Sequence, residues 1–259
     1  MITLLTDFGV RDSYAASMKG AILSVFPGAV ISDASHEIEP FDVASAAFVL
    51  SSYISDFPAG TAHIAVVDPG VGSNRKAIAI RTAFCYIVCP DNGIAALALR
   101  DYPDYEAYEI DPERLPQKCI SSTFHGRDIF SPAAALLASG KDIASISRRI
   151  DRIFVPDFAE PEIKNNIIRG CIIHIDRFGN LITNISAGML SLFNGKPITI
   201  KAGNKLIAGI SNTYSDKAPG EPVAYLGSGG LLEIAIVEGN AAAFYKNIKS
   251  VDVFVSKGK

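Results

Sequence analysis

The segment Val66 to Lys76, VVDPGVGSNRK, places Asp68 and Arg75 on either side of Gly70 and Gly72. Two glycines permit a tight backbone path, so a carboxylate and a guanidinium can meet across the loop. The plain reading is a salt bridge that staples a loop. The segment lacks the G-x-x-x-x-G-K-[ST] spacing of a phosphate loop, and no G-x-G-x-x-G fingerprint occurs. His125 stands between Phe124 and Gly126 in SSTFHGRDIFS, just before a predicted helix. A loop histidine beside a glycine is open to a ligand in a way that one on an apolar helix face is not, although a lone histidine is more often structural than catalytic. His36 reads as fixing its own loop, and His63 and His174 as packing or surface residues of strands.

Two other segments suit a nucleoside. In LLTDFGVRDS, Asp7 ends an apolar strand. One carboxylate there can accept both hydrogen bonds of a sugar diol, while the plain reading makes Asp7 a turn cap and Asp12 a helix N-cap. In IHIDRFGNLITNI, Asp176, Phe178 and Asn180 bunch at a turn between two strands. An aromatic face stacks on a purine and an amide pairs with a base edge, but Phe178-Gly179-Asn180 is also an ordinary hairpin. Ser228-Gly229-Gly230, in YLGSGGLLEIAIVEGN, can expose backbone N–H groups to a carboxylate or form a flexible hairpin.

These residues need elements to hold them. The first half alternates strand-like runs (Ile2 to Leu5, Ala29 to Ser32, His63 to Val67, Lys76 to Ile80, Cys85 to Cys89) with helical spacing at Ser13 to Val25, Phe41 to Tyr53, Asn92 to Leu99 and Ile129 to Ala138. That alternation predicts an α/β N-terminal domain, residues 1–155, with a mostly parallel central sheet. Ligands of such sheets sit beyond the carboxyl ends of the strands, where Asp7, Asp33 and Asp68 are expected. Residues 156–166 are polar and read as a linker. Residues 167–259 carry short strands separated by turn signals such as Asn194-Gly195, Ala202-Gly203-Asn204 and Pro219-Gly220, predicting a small antiparallel β-barrel C-terminal domain.

Composition sets the limits. The chain has 259 residues, 49% hydrophobic and 20% charged, which excludes a disordered polypeptide. Lys+Arg 24 against Asp+Glu 27 gives a net charge of -3, so nucleic acid is not an expected partner. The N-terminus has no basic start and meets Asp7 early, unlike a signal peptide, and no apolar run reaches the ~20 residues of a spanning helix. Cys85, Cys89, Cys119 and Cys171 have no zinc-site spacing and are expected to be reduced core residues of a cytoplasmic protein.

Taken together, TDFG with Asp12-Ser13, SDASHEIEPFDV, VVDPGVGSNRK, FHGRDIFSPAAA, DRFGNLITNI and LGSGGLLEIAIVEGN span both halves of the chain. In combination and order they resemble the S-adenosyl-L-methionine (SAM) hydroxide adenosyltransferase family, related to the bacterial fluorinating and chlorinating enzymes. The resemblance implies hydrolysis of SAM to adenosine and L-methionine, without metal or cofactor. It also implies a homotrimer with sites between the N-terminal domain of one subunit and the C-terminal domain of its neighbour. It assigns Asp68, Arg75 and His125 to the reacting centre, where halogenases carry Tyr in place of Asp68 and of His125; the fluorinating enzyme also has Ser in place of Gly126. Asp7 would hold the ribose and Phe41 would flank the nucleoside. Asp176, Phe178 and Asn180 would hold methionine and adenine, with Ala241 giving backbone near adenine. Asp12, Ser13 and Ser228 would lie near the methionine end, and Gly229 replaces a cationic residue of a halogenase. Two alternatives remain at this level. One is a non-catalytic adenosine or SAM binding protein. The other is a metal-dependent nucleoside or phosphoester hydrolase using Asp7, Asp33, Asp68, His36 or His125.

Overall fold

The structure is a computed structural model that describes residues 1–117 and 119–256. The chain divides into two compact units, Met1–Pro156 and Asp157–Lys259.

In the first unit, β1 (Ile2–Thr6) and β3 (Ala62–Val66) are buried at every position. Burial at every position is what central strands covered on both faces show, and the polar Thr3 and His63 within them are bonded to each other (2.9 Å). With β2 (Ile31–Ser35), β4 (Ala77–Arg81), β5 (Tyr86–Pro90), β6 (Glu106–Ile110) and β7 (Ser147–Ile150), they form a seven-stranded sheet of order β2-β1-β3-β5-β4-β6-β7. Strands β2, β1, β3 and β5 are parallel, and β4, β6 and β7 extend the sheet through antiparallel pairings. One face packs Met18 and Ile22 of α1 (Tyr14–Val25) and Ala134 and Leu137 of α3 (Ser131–Ala138). The other packs Ala46 and Leu50 of α2 (Val43–Tyr53). The α/β expectation is met. Helix α1 begins after Ser13, which occupies the N-cap, so Asp12 is not the cap. Helix α2 is capped by Asp42, whose Oδ1 accepts the Ser45 N–H (3.0 Å).

Several sequence expectations change. Asn92 to Leu99 is not a helix but a series of turns ending in a short 3₁₀ segment, Ala98–Arg100. Asn92 turns the chain there by donating to Val67 O (2.8 Å) and accepting the Ile94 N–H (3.2 Å), and Gly93 has φ +95°. Asp33 lies within β2, not beyond it, and pairs with Lys19 (2.6 Å) and His36 (3.2 Å). Cys119 is exposed rather than part of a core. His63 is a packing residue, fully buried with Nδ1 on Thr3 Oγ1 (2.9 Å).

In the second unit, β9 (Ile167–Ile175), β10 (Leu181–Ser186), β11 (Ile198–Ala202), β12 (Lys205–Ala208), β13 (Pro222–Leu226), β14 (Leu231–Ile236) and β15 (Ser250–Val255) follow the order β12-β11-β15-β9-β10-β14-β13, all antiparallel. A bridge from Ser211 to Tyr225, just past β12, nearly closes the sheet into a barrel. The segment read as a linker contributes β8 (Glu162–Lys164), paired with β9. Short helices α4 (Ala187–Leu190) and α5 (Ala241–Tyr245) complete the unit.

Candidate active site

Adjacent parallel strands deliver the first two carboxylates. The register pairs Thr6 of β1 with Val66 of β3, so Asp7 and Asp68 leave neighbouring strand ends on the same edge. Both line one cavity of about 380 Å³, together with Phe8, Tyr14, Phe41, Thr123, Phe124 and His125. Asp68 is held by Arg75. Nε donates to Oδ1 (3.1 Å) and Oδ2 (3.0 Å), and Nη2 donates to Oδ2 (2.5 Å). Arg75 Nη2 also reaches His125 Nδ1 (2.7 Å). The guanidinium lies over the buried Phe130 ring, 5.4 Å from its centroid. The three residues expected at the reacting centre therefore meet. Arg75 stands behind the other two: it bridges Asp68 and His125 but is not part of the cavity wall.

This geometry fixes the state of His125. A guanidinium can only donate, so Nδ1 must accept, and the proton of the neutral imidazole sits on Nε2. Burial first, and the Arg75 charge second, push the His125 pKa below its ordinary value. The cavity is thus offered an acceptor from Asp68 and an N–H donor from His125.

Two loops dock to make the triad. Gly72 has φ +77°, and a Cβ there would lie 2.5 Å from Ser122 O. Any side chain would strain the backbone and push the Asp68 loop off the His125 loop. Gly72→Ala is expected to cost about 1–3 kcal/mol of stability. It should lower turnover more than adenosine affinity, as read from denaturant melts and steady-state kinetics. The His125 loop is clamped on its other side by Asp128, which is 3% exposed. Its carboxylate accepts Ser121 N–H (2.8 Å) and two bonds from Arg127 (2.6 and 2.9 Å). Burial would raise the Asp128 pKa, but these hydrogen bonds outweigh it and hold the carboxyl below its usual range. The chain then runs through a π-helical turn, Gly126–Phe130, into α3. Such turns concentrate at functional sites.

The nucleoside side of the cavity is equally specific. The Phe41 N–H donates to Asp7 Oδ2 (3.0 Å), leaving the rest of the carboxylate for a ligand. Phe41 has φ +69° and is 68% exposed. A bulky residue in the left-handed region with its ring in solvent is held against its own preference, as residues at ligand sites often are. Thr6 and His36 support this corner: Thr6 Oγ1 is bonded to His36 Nδ1 (2.8 Å), and Gly9 N–H donates to His36 O (2.7 Å). Sequence reading missed an aromatic cluster in the wall. Phe8, Tyr14 and Phe124 are mutually packed with centroids 5.2–5.9 Å apart. Phe8 and Phe124 each sit beside a residue that was singled out, and that adjacency was the available signal. Asp12 and Ser13 are exposed, next to Tyr14, and are not part of the wall.

The second unit has its own cavity, about 720 Å³, lined by Phe178, Asn180, Tyr214, Lys217 and Val237–Gly239 among others. Asp176 shapes the turn that presents Phe178 and Asn180. Its Oδ1 accepts the N–H groups of Phe178 (2.9 Å) and Asn180 (2.8 Å), and its Oδ2 accepts Asn180 Nδ2 (2.8 Å). Phe178 is 76% exposed. Gly179, at φ +84°, packs so closely on Asn240 that a Cβ would overlap the amide. Asn240 caps α5, and Ala241 behind it is fully buried rather than lining the cavity. Ser228 and Gly229 are exposed at the tip of the β13–β14 hairpin, where Gly230 N–H is used by Gly227 O (2.9 Å). Sequence reading also missed Tyr214 and Lys217, which lie outside the motifs it weighed, and Glu238, which lies inside LGSGGLLEIAIVEGN but was not singled out.

Among the described residues, no three His, Cys, Asp or Glu side chains converge to hold a metal ion, and Asp33 and His36 pair with each other and do not line the cavity that Asp68 lines. No helix among them is long and apolar enough to cross a membrane.

Comparison with known proteins agrees with this architecture. A crystal structure of an uncharacterized conserved protein from Thermotoga maritima superposes with TM-score 0.86 at 34% identity, covering 98% of this chain and 100% of that one. The (R)-S-adenosyl-L-methionine hydrolase of Thermus thermophilus is 35% identical, over 93% of each chain. The enzyme of the same name from Methanocaldococcus jannaschii is 39% identical over 79% of this chain and 74% of its own. The fluorinase of Nocardia brasiliensis is more distant, at 28% identity over 100% of this chain and 97% of its own. Residues 2–147 match the SAM hydroxide adenosyltransferase N-terminal domain and residues 170–251 its C-terminal domain, and the chain belongs to that family.

Proposed function

We propose that the protein hydrolyses SAM to adenosine and L-methionine by attack of water on C5′. The observation that carries this is the Asp68–Arg75–His125 constellation at the wall of the Asp7–Phe41 cavity. The sulfonium makes C5′ electrophilic, and the sulfur leaves with its bonding pair as a neutral thioether, so no general acid is needed. What the reaction requires is a nucleophile held in line with the C–S bond. Water, with a pKa of ~15.7 in bulk, is poor at this unless its proton is drawn away. A water between Asp68 and His125 donates a hydrogen to the carboxylate and accepts from Nε2–H, which leaves a lone pair for C5′. As the C5′–O bond forms and the C5′–S bond breaks, the oxygen sheds one proton, past Asp68, to solvent. Asp68 and His125 are the catalytic residues in this scheme. Arg75 is a positioning residue that fixes both.

Asp7 accepts from the ribose hydroxyls and Phe41 covers the nucleoside. Phe178 and Asn180 receive the adenine base, with Asp176 acting through them. Asp12, Ser13, Ser228 and Ala241 remain assigned to the substrate only by family resemblance. The family resemblance, with a cavity in each unit, leads us to place the complete site between subunits of a homotrimer, and the four free cysteines suit a cytoplasmic protein. The relatives' names specify the R form at sulfur, and we extend that preference to this chain. Purified protein incubated with SAM is expected to release adenosine and methionine in equal amounts, undiminished by a chelator. Formation of 5′-halo-adenosine from added chloride or fluoride, with no adenosine from water, would overturn the reading.

A further inference from the structure

The second unit's cavity is backed by a hydrogen-bonded chain whose directions are set by the chemistry of its ends. Asn180 Nδ2 donates to Asp176 Oδ2 (2.8 Å) and to Tyr214 Oη (3.2 Å). Tyr214 Oη is bonded in turn to Tyr225 Oη, and the Tyr225 hydroxyl donates to Glu233 Oε2 (2.5 Å). A phenol has one proton. Tyr225 gives its proton to Glu233, so it can only accept from Tyr214. Tyr214 has then given its own proton away, so toward Asn180 it can only accept. With a carboxylate oxygen of Asp176 taking the other N–H, both amide protons of Asn180 are committed. The group left for a ligand is Oδ1, a pure acceptor.

We propose that Tyr225 and Glu233 are positioning residues that lock the Asn180 amide with its oxygen toward the ligand, and that this lock makes the cavity select a 6-amino purine over a 6-oxo purine. The inference rests on the reading that this cavity receives the base of the substrate. An exocyclic amine supplies the N–H that Oδ1 needs. A 6-oxo group puts a second acceptor against it, leaving a buried acceptor unpaired, which is the strongest means of discrimination available to a polar site. Asn180 is 4% exposed, so water does not readily substitute for the missing donor. Neither Tyr225 nor Glu233 lines the cavity, so changing them leaves its wall intact. Glu233 also packs under Gly227, where a Cβ would meet its carboxyl group, and so sits firmly beneath the hairpin.

The test is calorimetric binding of adenosine and inosine to the intact protein and to Tyr225→Phe and Glu233→Gln. Wild type is expected to favour adenosine by about tenfold or more. Tyr225→Phe removes the relay proton and is expected to reduce that ratio severalfold. Glu233→Gln, whose Oε1 still accepts from Tyr225, is expected to keep it. If Tyr225→Phe binds adenosine with the full wild-type ratio, the relay is wrong while the adenosine site stands. If wild type binds neither nucleoside, both the relay and the reading it rests on fall. Should Tyr225→Phe fail to fold, Glu233→Met, close in volume and lacking an acceptor oxygen, carries the same comparison.

Discussion

Arg75→Met is expected to lower kcat by about 10²–10³ while the affinity for adenosine changes little, because Arg75 aligns the reacting groups without touching the nucleoside. Its guanidinium makes the side-chain hydrogen bonds that hold Asp68 and His125 in register. A methionine fills much of the volume over Phe130 but removes those donors and leaves Asp68, 5% exposed at its side chain, as a buried charge without its partner. A loss of stability of about 3–5 kcal/mol accompanies such a change, so turnover must be measured on the folded fraction. Arg75→Lys separates positioning from charge. Lysine keeps the cation beside Asp68 but presents a point charge rather than a planar fork, and cannot hold both partners in fixed geometry. It is expected to fall between wild type and Arg75→Met. Wild-type activity in Arg75→Lys would mean that charge, not alignment, is what Arg75 supplies, and equal losses in kcat and adenosine affinity would mean a merely structural role.

The second large effect concerns His125. Because Nδ1 accepts from Arg75, the catalytic asset is the N–H on Nε2, and the ring is not placed to take a proton from water. His125→Ala is expected to lower kcat by about 10²–10³, the size of effect seen when a preorganised donor is removed. His125→Gln should recover part of that loss, since Oε1 can accept from Arg75 while Nε2–H donates into the cavity. A general base would not be replaced by an amide, so a glutamine variant no better than alanine would contradict the donor assignment. The pH profile follows with a definite sign. The His125 pKa is lowered, by burial and then by Arg75, so the neutral ring persists below the ordinary imidazole value of 6.5. Activity should hold through neutrality and fall as pH drops through that lowered pKa, where a proton on Nδ1 would face the guanidinium. In His125→Gln this acid limb should disappear.

Much of this was legible in the residues, for reasons that can be named. Asp7 and Asp68 each follow an apolar run, and a parallel sheet sends such residues to one edge. Asp33 follows a similar run but lies inside its strand, because β2 continues to Ser35 and Lys19 draws the carboxylate outward. A strand's end depends on its neighbours' register, and short windows do not contain that. The aromatic wall of Phe8, Tyr14 and Phe124 was hidden for a related reason: Tyr14 has the spacing of a core-facing helix residue, yet it is 48% exposed and lines the cavity. The recessed place of Arg75 depends on Phe130 and the π-helical turn, a tertiary arrangement that spacing does not encode. Tyr214 belongs to no motif and matters only because barrel closure brings it to Tyr225 and Asn180. Phe178 and Asn180, by contrast, were readable because the Asp176 turn is built within a few residues.

The most direct test of the central claim is hydrolysis of SAM in ¹⁸O-labelled water, with the adenosine analysed by mass spectrometry. Attack of water at C5′ predicts adenosine carrying one heavy oxygen at its 5′ position, with unlabelled methionine formed in equal amount. Adenosine without the label, or consumption of SAM with no adenosine formed, would contradict it.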